Sequence, residues 1–143
     1  MRNIEHERGA FAHERISRIR NESWAGDYKS YVKRAPAMIL TNGLAQALSF
    51  YYSKSKGLKG TKDTERAYTR LFEDIDTWMI ERGYYTKNDR RNCQENTAPN
   101  VLEWLVHCAS DIEVYRATME VLALLNWMKR FADAMIEKQE TGE

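Results

Sequence analysis

The segment from Ser110 to Ile136 constrains the fold more than any other part of the chain. Ser110, with Glu113 three residues on, has the pattern of a capping box, so a helix should begin there. Val114, Thr118, Val121, Leu125, Met128, Ala132 and Met135 then recur at four- and three-residue steps, which is one continuous helical face. The middle, Val121 to Leu125 and then Trp127 and Met128, is apolar almost all the way round, and a helix of that kind is usually buried. Glu120, Asn126, Lys129 and Arg130 interrupt it too often for a membrane span. The helix should therefore sit at the centre of the fold, with Trp127 in the core.

The preceding chain supplies partners for it. Residues 3–23 read as an amphipathic helix with sparse apolar positions Ile4, Phe11, Ile16 and Ile19, closed by Trp24. A seven-residue echo, His6-Glu7-Arg8 and His13-Glu14-Arg15, shares one face of this helix. It lacks the second histidine of a zinc-protease helix and reads as a solvated face. Asp27 can cap a second helix, and Pro36 predicts a break near Ala35 with a fresh short helix through Leu40. Asn42-Gly43 is a helix-ending pair, a structural turn rather than a site. Leu44 to Lys54 forms another helix with Leu44, Ala47, Leu48 and Tyr51 inward.

Residues 54–61 form a Gly- and Lys-bearing loop without a phosphate-loop signature. From Thr61 or Asp63 to about Arg82 the stripe Tyr68, Leu71, Phe72, Ile75, Trp78 and Met79 predicts a core helix ended by Gly83. Residues 84–96 read as a polar, mobile loop with Lys87, Arg90 and Arg91. Thr97-Ala98-Pro99 should start a helix containing Val101, Leu102, Trp104, Leu105 and Val106, with His107 and Cys108 as a packed or capping pair at its end. Lys138 to Glu143 should fray. No β pattern stands out. The expectation is all-α: a compact single domain over residues 1–143, of about six helices around a buried C-terminal helix.

The charge is segregated. Over the whole chain 22 Lys and Arg balance 21 Asp and Glu. Residues 27–70 hold nine of the basic side chains (Lys29, Lys33, Arg34, Lys54, Lys56, Lys59, Lys62, Arg66, Arg70) against Asp27, Asp63 and Glu65. Residues 71–143 are correspondingly acidic. Either a basic side meets an anion, or two solvated faces attract each other within the fold. Tyr28, Tyr31, Tyr51 and Tyr52 lie among these cations and suit either base stacking or helix packing.

Cys93 and Cys108 have no metal spacing and are too few for a disulfide scaffold, and the charged N-terminus has no signal core. A soluble protein of a reducing cytoplasm, with both thiols therefore reduced, no membrane association and no cofactor or metal, is expected. Glu73, Asp74 and Asp76 lie along one helix and could serve acid–base work or magnesium, but without a partner histidine or second acidic cluster they read as a solvated face. No nucleophile elbow, Walker motif or dinucleotide fingerprint is present, so the chain does not read as an enzyme.

Two stretches carry a family likeness. Ala35-Pro36-Ala37-Met38-Ile39 is followed by Asn42-Gly43-Leu44-Ala45-Gln46-Ala47-Leu48 and Lys54. Tyr115-Arg116-Ala117-Thr118 with Glu120 is followed by Leu124-Leu125-Asn126-Trp127-Met128-Lys129-Arg130-Phe131-Ala132. Together they resemble the fifth, small α-helical subunit of the Cmr complex, the type III-B CRISPR–Cas effector of antiviral defence. The resemblance implies a non-catalytic subunit that stacks with further copies of itself as an inner filament. Its other partners would be the backbone and large Cmr subunits, the guide RNA and the target RNA. Guide pairing reads sequence there, so a small subunit need supply only charge and shape. Candidate RNA-binding residues are Lys54, Arg116, Lys129 and Arg130 within the similar stretches, and Lys29, Lys33 and Arg34 on charge alone. Arg116 could instead pair with Glu120 one turn on. The alternative is a pure protein–protein helical scaffold without RNA contact.

Overall fold

The structure, a computed structural model, describes residues 3–88 and 93–137. Arg90, Arg91 and the expected fraying of residues 138–143 lie outside them. Among the described residues six helices are present: α1 (Ile4–Ile19), α2 (Ala25–Asn42), α3 (Leu44–Lys54), α4 (Asp63–Glu81), α5 (Val101–His107) and α6 (Asp111–Met135).

The capping box of α6 forms as expected: Ser110 Oγ accepts from Glu113 N–H, and Glu113 Oε1 accepts from Ser110 N–H. Val121, Leu124, Leu125, Met128 and Ala132 are buried against α1 and α2, so α6 is central along its second half. Its first turns are not. Ile112, Tyr115 and Met119 are at least half exposed, and the apolar rod expected to lie wholly inside has one open face. Trp127 is half-buried, packed on Gly9, with Nε1–H donating to Glu5 Oε1 at 3.1 Å.

The break expected at Pro36 does not occur. Helix α2 runs through it, because Val32, Ala35 and Ile39 form one buried stripe spanning the proline. Packing of that stripe outweighs the missing amide hydrogen bond, a loss of roughly 3 kcal/mol in an exposed helix. Asp27 lies in the first turn instead of capping it; Trp24 holds the cap position without a side-chain bond. At Gly43 (φ +90°) the chain leaves α2 and enters α3, and Leu44, Ala47, Leu48 and Tyr51 are buried as expected.

The stretch after α4 departs further from expectation. Tyr85 is buried, its ring stacked on Trp104 with centroids 5.8 Å apart. Two short strands, β1 (Thr86–Lys87) and β2 (Thr97–Ala98), pair in parallel, so α5 starts later than expected, capped by Asn100. Val106 belongs to that helix as expected and is 60% exposed. Cys93 and Cys108 are joined in a disulfide, 15 residues apart in sequence, which corrects the reading of Cys108 as a packed or capping thiol and of the pair as reduced. The bond pins the loop before α5 to the end of that helix.

Three buried carboxylates tie the helices together. Asp74 on α4 accepts from Arg15 Nε (2.6 Å, α1) and from the Tyr28 hydroxyl (α2). Asp76 accepts from the Tyr85 hydroxyl and from Val101 N–H at 2.9 Å, and pairs with Lys87. Glu120 on α6 receives Arg8 through two hydrogen bonds (2.7 and 2.8 Å) and Trp78 Nε1–H (3.0 Å). The solvated face expected at 73–76 is therefore true of Glu73 alone. The echo on α1 likewise turns Arg8 and Arg15 inward, because each meets a buried counter-charge there.

Candidate nucleic-acid interface

Helices α2, α3 and α4 bring an aromatic patch and its cations together. Tyr31 stacks on Tyr68 at 3.7 Å, and Tyr68 also meets Tyr51 and Phe50. The Arg34 guanidinium lies 5.4 Å from the Tyr31 ring, and Lys54 Nζ lies 5.5 Å from Phe50. Each cation rests on a ring face, which anchors the side chain while leaving its charge free for an anion. Burial pushes the Tyr31 and Tyr51 hydroxyls upward, so both stay neutral. Tyr28, Tyr31 and Tyr51 are buried and serve the helix contacts, whereas Tyr52 and, beside Lys54, Phe50 keep ring surface exposed.

Lys29 and Lys33 are used differently. Lys29 is mostly buried and donates to the Ile136 carbonyl at 3.1 Å, while Lys33 pairs with Asp133 at 3.0 Å. The hydrogen bond and charge of Lys33 hold the Asp133 carboxyl below its usual range, helped by Lys29 and Lys129. These three lysines therefore gather where α2 crosses the end of α6, and two of them are already paired there. Arg130 is exposed on α6. Arg116 stands apart, about 20 Å up α6 from Lys129 by helical rise. It lines a cleft of about 510 Å³ with Arg8, Arg82, Tyr84, Glu113 and Glu120. The alternative pairing of Arg116 with Glu120 is pre-empted by Arg8 and Trp78.

The α3–α4 turn adds cations that charge counting noted but did not single out. Arg34, Lys54, Lys56, Lys59, Lys62, Arg66 and Arg70 have no ion pair to an acidic side chain among the described residues. Among those residues, too, no group of three His, Cys, Asp or Glu could hold a metal ion, and no helix is long and apolar enough to cross a membrane.

The molecule so far is a small helical bundle with one flank of unpaired cations. Its fold is that of a CRISPR-associated Cmr5 family protein from Thermus thermophilus, a crystal structure matched with a TM-score of 0.67 over 95% of this chain and 100% of that one, at 24% identity. Residues 4–135 match the family described as CRISPR-associated protein (Cas_Cmr5), and the chain belongs to that family of type III-B CRISPR subunits. The CRISPR system Cmr subunit Cmr5 of Thermus thermophilus is 25% identical over 127 residues, spanning 89% of this chain and 90% of that protein. Family membership makes this chain a subunit of a Cmr complex.

Proposed function

We propose that the chain is a non-catalytic, cytoplasmic subunit of a Cmr effector ribonucleoprotein that stacks with copies of itself and lays its α2–α4 flank against the guide–target RNA backbone. The observation that carries this reading is the run of seven cations, from Arg34 to Arg70, without an acidic partner among the described residues. Phosphate contact of this kind gives affinity without sequence reading. Of the candidate contacts, Arg34 and Lys54 are the strongest, and Lys129 and Arg130 extend the surface along α6. Lys29 and Lys33 are weaker, being engaged with Asp133 and Ile136. Arg116 would need a separate contact. A non-catalytic role is supported by the commitment of Asp74 and Asp76 to internal bonds.

The test is RNA retention against salt. Wild type should bind short RNA weakly, without sequence preference, with affinity falling steeply as salt rises. Arg34→Gln with Lys54→Gln should reduce the salt slope by about one unit per residue. Salt-independent binding would overturn the phosphate reading. Labelled RNA incubated with divalent metals should give no products; metal-dependent cutting by the folded wild-type protein would revive an enzyme.

A pure protein–protein scaffold is the second reading, favoured by the exposed Ile112, Tyr115 and Met119 on α6. In that case charge reversal at Arg34 and Lys54 would leave RNA protection by the assembled complex normal, and Tyr115→Ser with Met119→Ser would block assembly.

A further inference from the structure

Arg66 and Arg70 stand one turn apart on the same face of α4. Their guanidinium carbons each lie 6.0 Å from the ring of one residue, Trp24, at the start of α2. Like charges at this spacing repel, and a helix N-terminal end is a poor place for cations. Glu65 does not relieve them, because its Oε1 is taken by Lys62 N–H. Trp24 carries an unmet donor of its own: Nε1 is buried without a partner among the described residues.

These groups border a cleft of about 200 Å³ lined by Trp24, Gly60, Arg66, Thr69, Arg70 and Glu73. Gly60 presses the α3–α4 turn against the helix: a Cβ there would come 2.5 Å from Glu65 Cβ. The turn is held in shape by Ser55, whose Oγ donates to the Tyr52 carbonyl and accepts from Leu58 N–H, while Gly60 N–H donates to the Ser55 carbonyl. It also carries backbone strain, with Lys56 at φ +56° and Leu58 at φ +69°. A strained turn braced in one shape stands beside two arginines without a direct ion pair among the described residues, Arg70 feeling the buried Asp74 only through its charge.

We propose that Trp24, Arg66, Arg70 and the Gly60 turn form a seat for one phosphate group. Guanidinium forks match phosphate oxygens two at a time, and the Trp24 ring face beside both arginines limits their range. The cleft is smaller than the usual range for whole small-molecule ligands, so the seat takes a phosphate rather than a nucleotide. Glu73 is the one carboxylate on its lining, and it opposes the ligand. The seat rests on the nucleic-acid reading above only for its source, a polymer phosphate rather than a free one.

The indole N–H resonances of the protein labelled with nitrogen-15 report on Trp24 separately from Trp78, Trp104 and Trp127. Inorganic phosphate, but not chloride at equal ionic strength, should move the Trp24 signal saturably. Arg66→Gln with Arg70→Gln should weaken that response by about tenfold per arginine, with the other three indole signals unmoved. Glu73→Gln, a surface change that leaves the cation pair intact, should tighten it. A short oligouridylate moving the same signal at lower concentration assigns the phosphate to a chain. A response to inorganic phosphate alone keeps the seat and removes RNA from this flank. Oligouridylate retained without any movement of Trp24, or a Trp24 response unchanged in both Glu73→Gln and the arginine variant, overturns the seat while leaving the RNA reading standing. Should the arginine variant not fold, wild type and Glu73→Gln still decide.

Discussion

Arg15 Nε donates to Asp74 Oδ1 at 2.6 Å across 59 residues of sequence, and the Tyr28 hydroxyl donates to the other oxygen of the same carboxylate. One buried acid thus fixes α1 and α2 on α4. Burial pushes the Asp74 carboxyl up, and Arg15 and Tyr28 pull it back only in part. Asp74→Asn keeps an acceptor for Tyr28 but strands a mostly buried guanidinium. Removing one member of such a pair costs about 3–5 kcal/mol. Urea unfolding should show that loss for Asp74→Asn, and Arg15→Met in the same chain should recover part of it. Additive losses in the double variant would mean the two groups are not coupled.

Glu120 gives the fold an acid limit. Burial raises this carboxyl, but the hydrogen bonds from Arg8 and Trp78 outweigh it and the net shift is downward from 4.5. A lowered carboxyl binds its proton less readily in the folded state. Its contribution is therefore complete above the unfolded value and disappears as pH falls through the folded one. Asp74, shifted upward, works in the opposite direction over the acid range. Glu120→Gln should lower stability at neutral pH by about 1.5–3 kcal/mol, the range for charge-assisted hydrogen bonds. Urea midpoints at neutral pH and near pH 3 should then lie closer together than in wild type. An unchanged spacing would place the acid limit elsewhere.

The Cys93–Cys108 bond closes a loop of 15 residues, for which chain entropy gives about 3 kcal/mol. Dithiothreitol should lower the urea midpoint by a corresponding amount, and Cys93→Ser with Cys108→Ser should match the reduced protein and no longer respond to reductant. Identical midpoints with and without reductant would show that the two thiols are not joined in solution.

What the sequence made legible is the part of the fold carried by local patterns. The Ser110–Glu113 box and the Val121–Leu125–Met128–Ala132 stripe specify α6 without help from elsewhere, and Asn42-Gly43 marks the α2–α3 junction because the backbone there needs a positive φ. Pro36 misleads because a local rule competes with packing on α6 that no local window contains. Asp74, Asp76, Arg8 and Arg15 mislead for the same reason. A charged side chain reads as solvated until its partner is known, and these partners come from other helices. Similarly, the spacing of Cys93 and Cys108 does not reveal that α5 folds back to bring their Cα atoms within 4.8 Å.

The candidate interface divides along the same line. The basic bias of residues 27–70 is a property of composition and was readable. Which cations are spent internally was not, because Asp133 lies a hundred residues beyond Lys33. Lys33 is half exposed in that pair, and such surface pairs contribute at most about 1 kcal/mol. Lys33→Gln should therefore leave the melting temperature nearly unchanged, so any loss of RNA retention would be a direct effect.

Gly43 isolates a purely conformational cost. Its φ is +90°, and a Cβ added there would meet nothing within 4 Å. No clash or lost contact accompanies Gly43→Ala, so the change reads only the expense of a side chain at a φ and ψ (+90° and 158°) that are essentially confined to glycine, about 1–3 kcal/mol. Gly60 is the opposite case, where φ is unrestrictive and the neighbour is too close. Gly60→Ala must displace Glu65 and with it the wall of the α3–α4 turn. Urea unfolding should show a loss for Gly43→Ala with the Trp24 indole resonance unmoved, whereas Gly60→Ala should move that resonance whatever its effect on stability. A shift of Trp24 in the Gly43 variant would mean that the α2–α3 junction, and not the turn at Gly60, sets the geometry around the arginine pair.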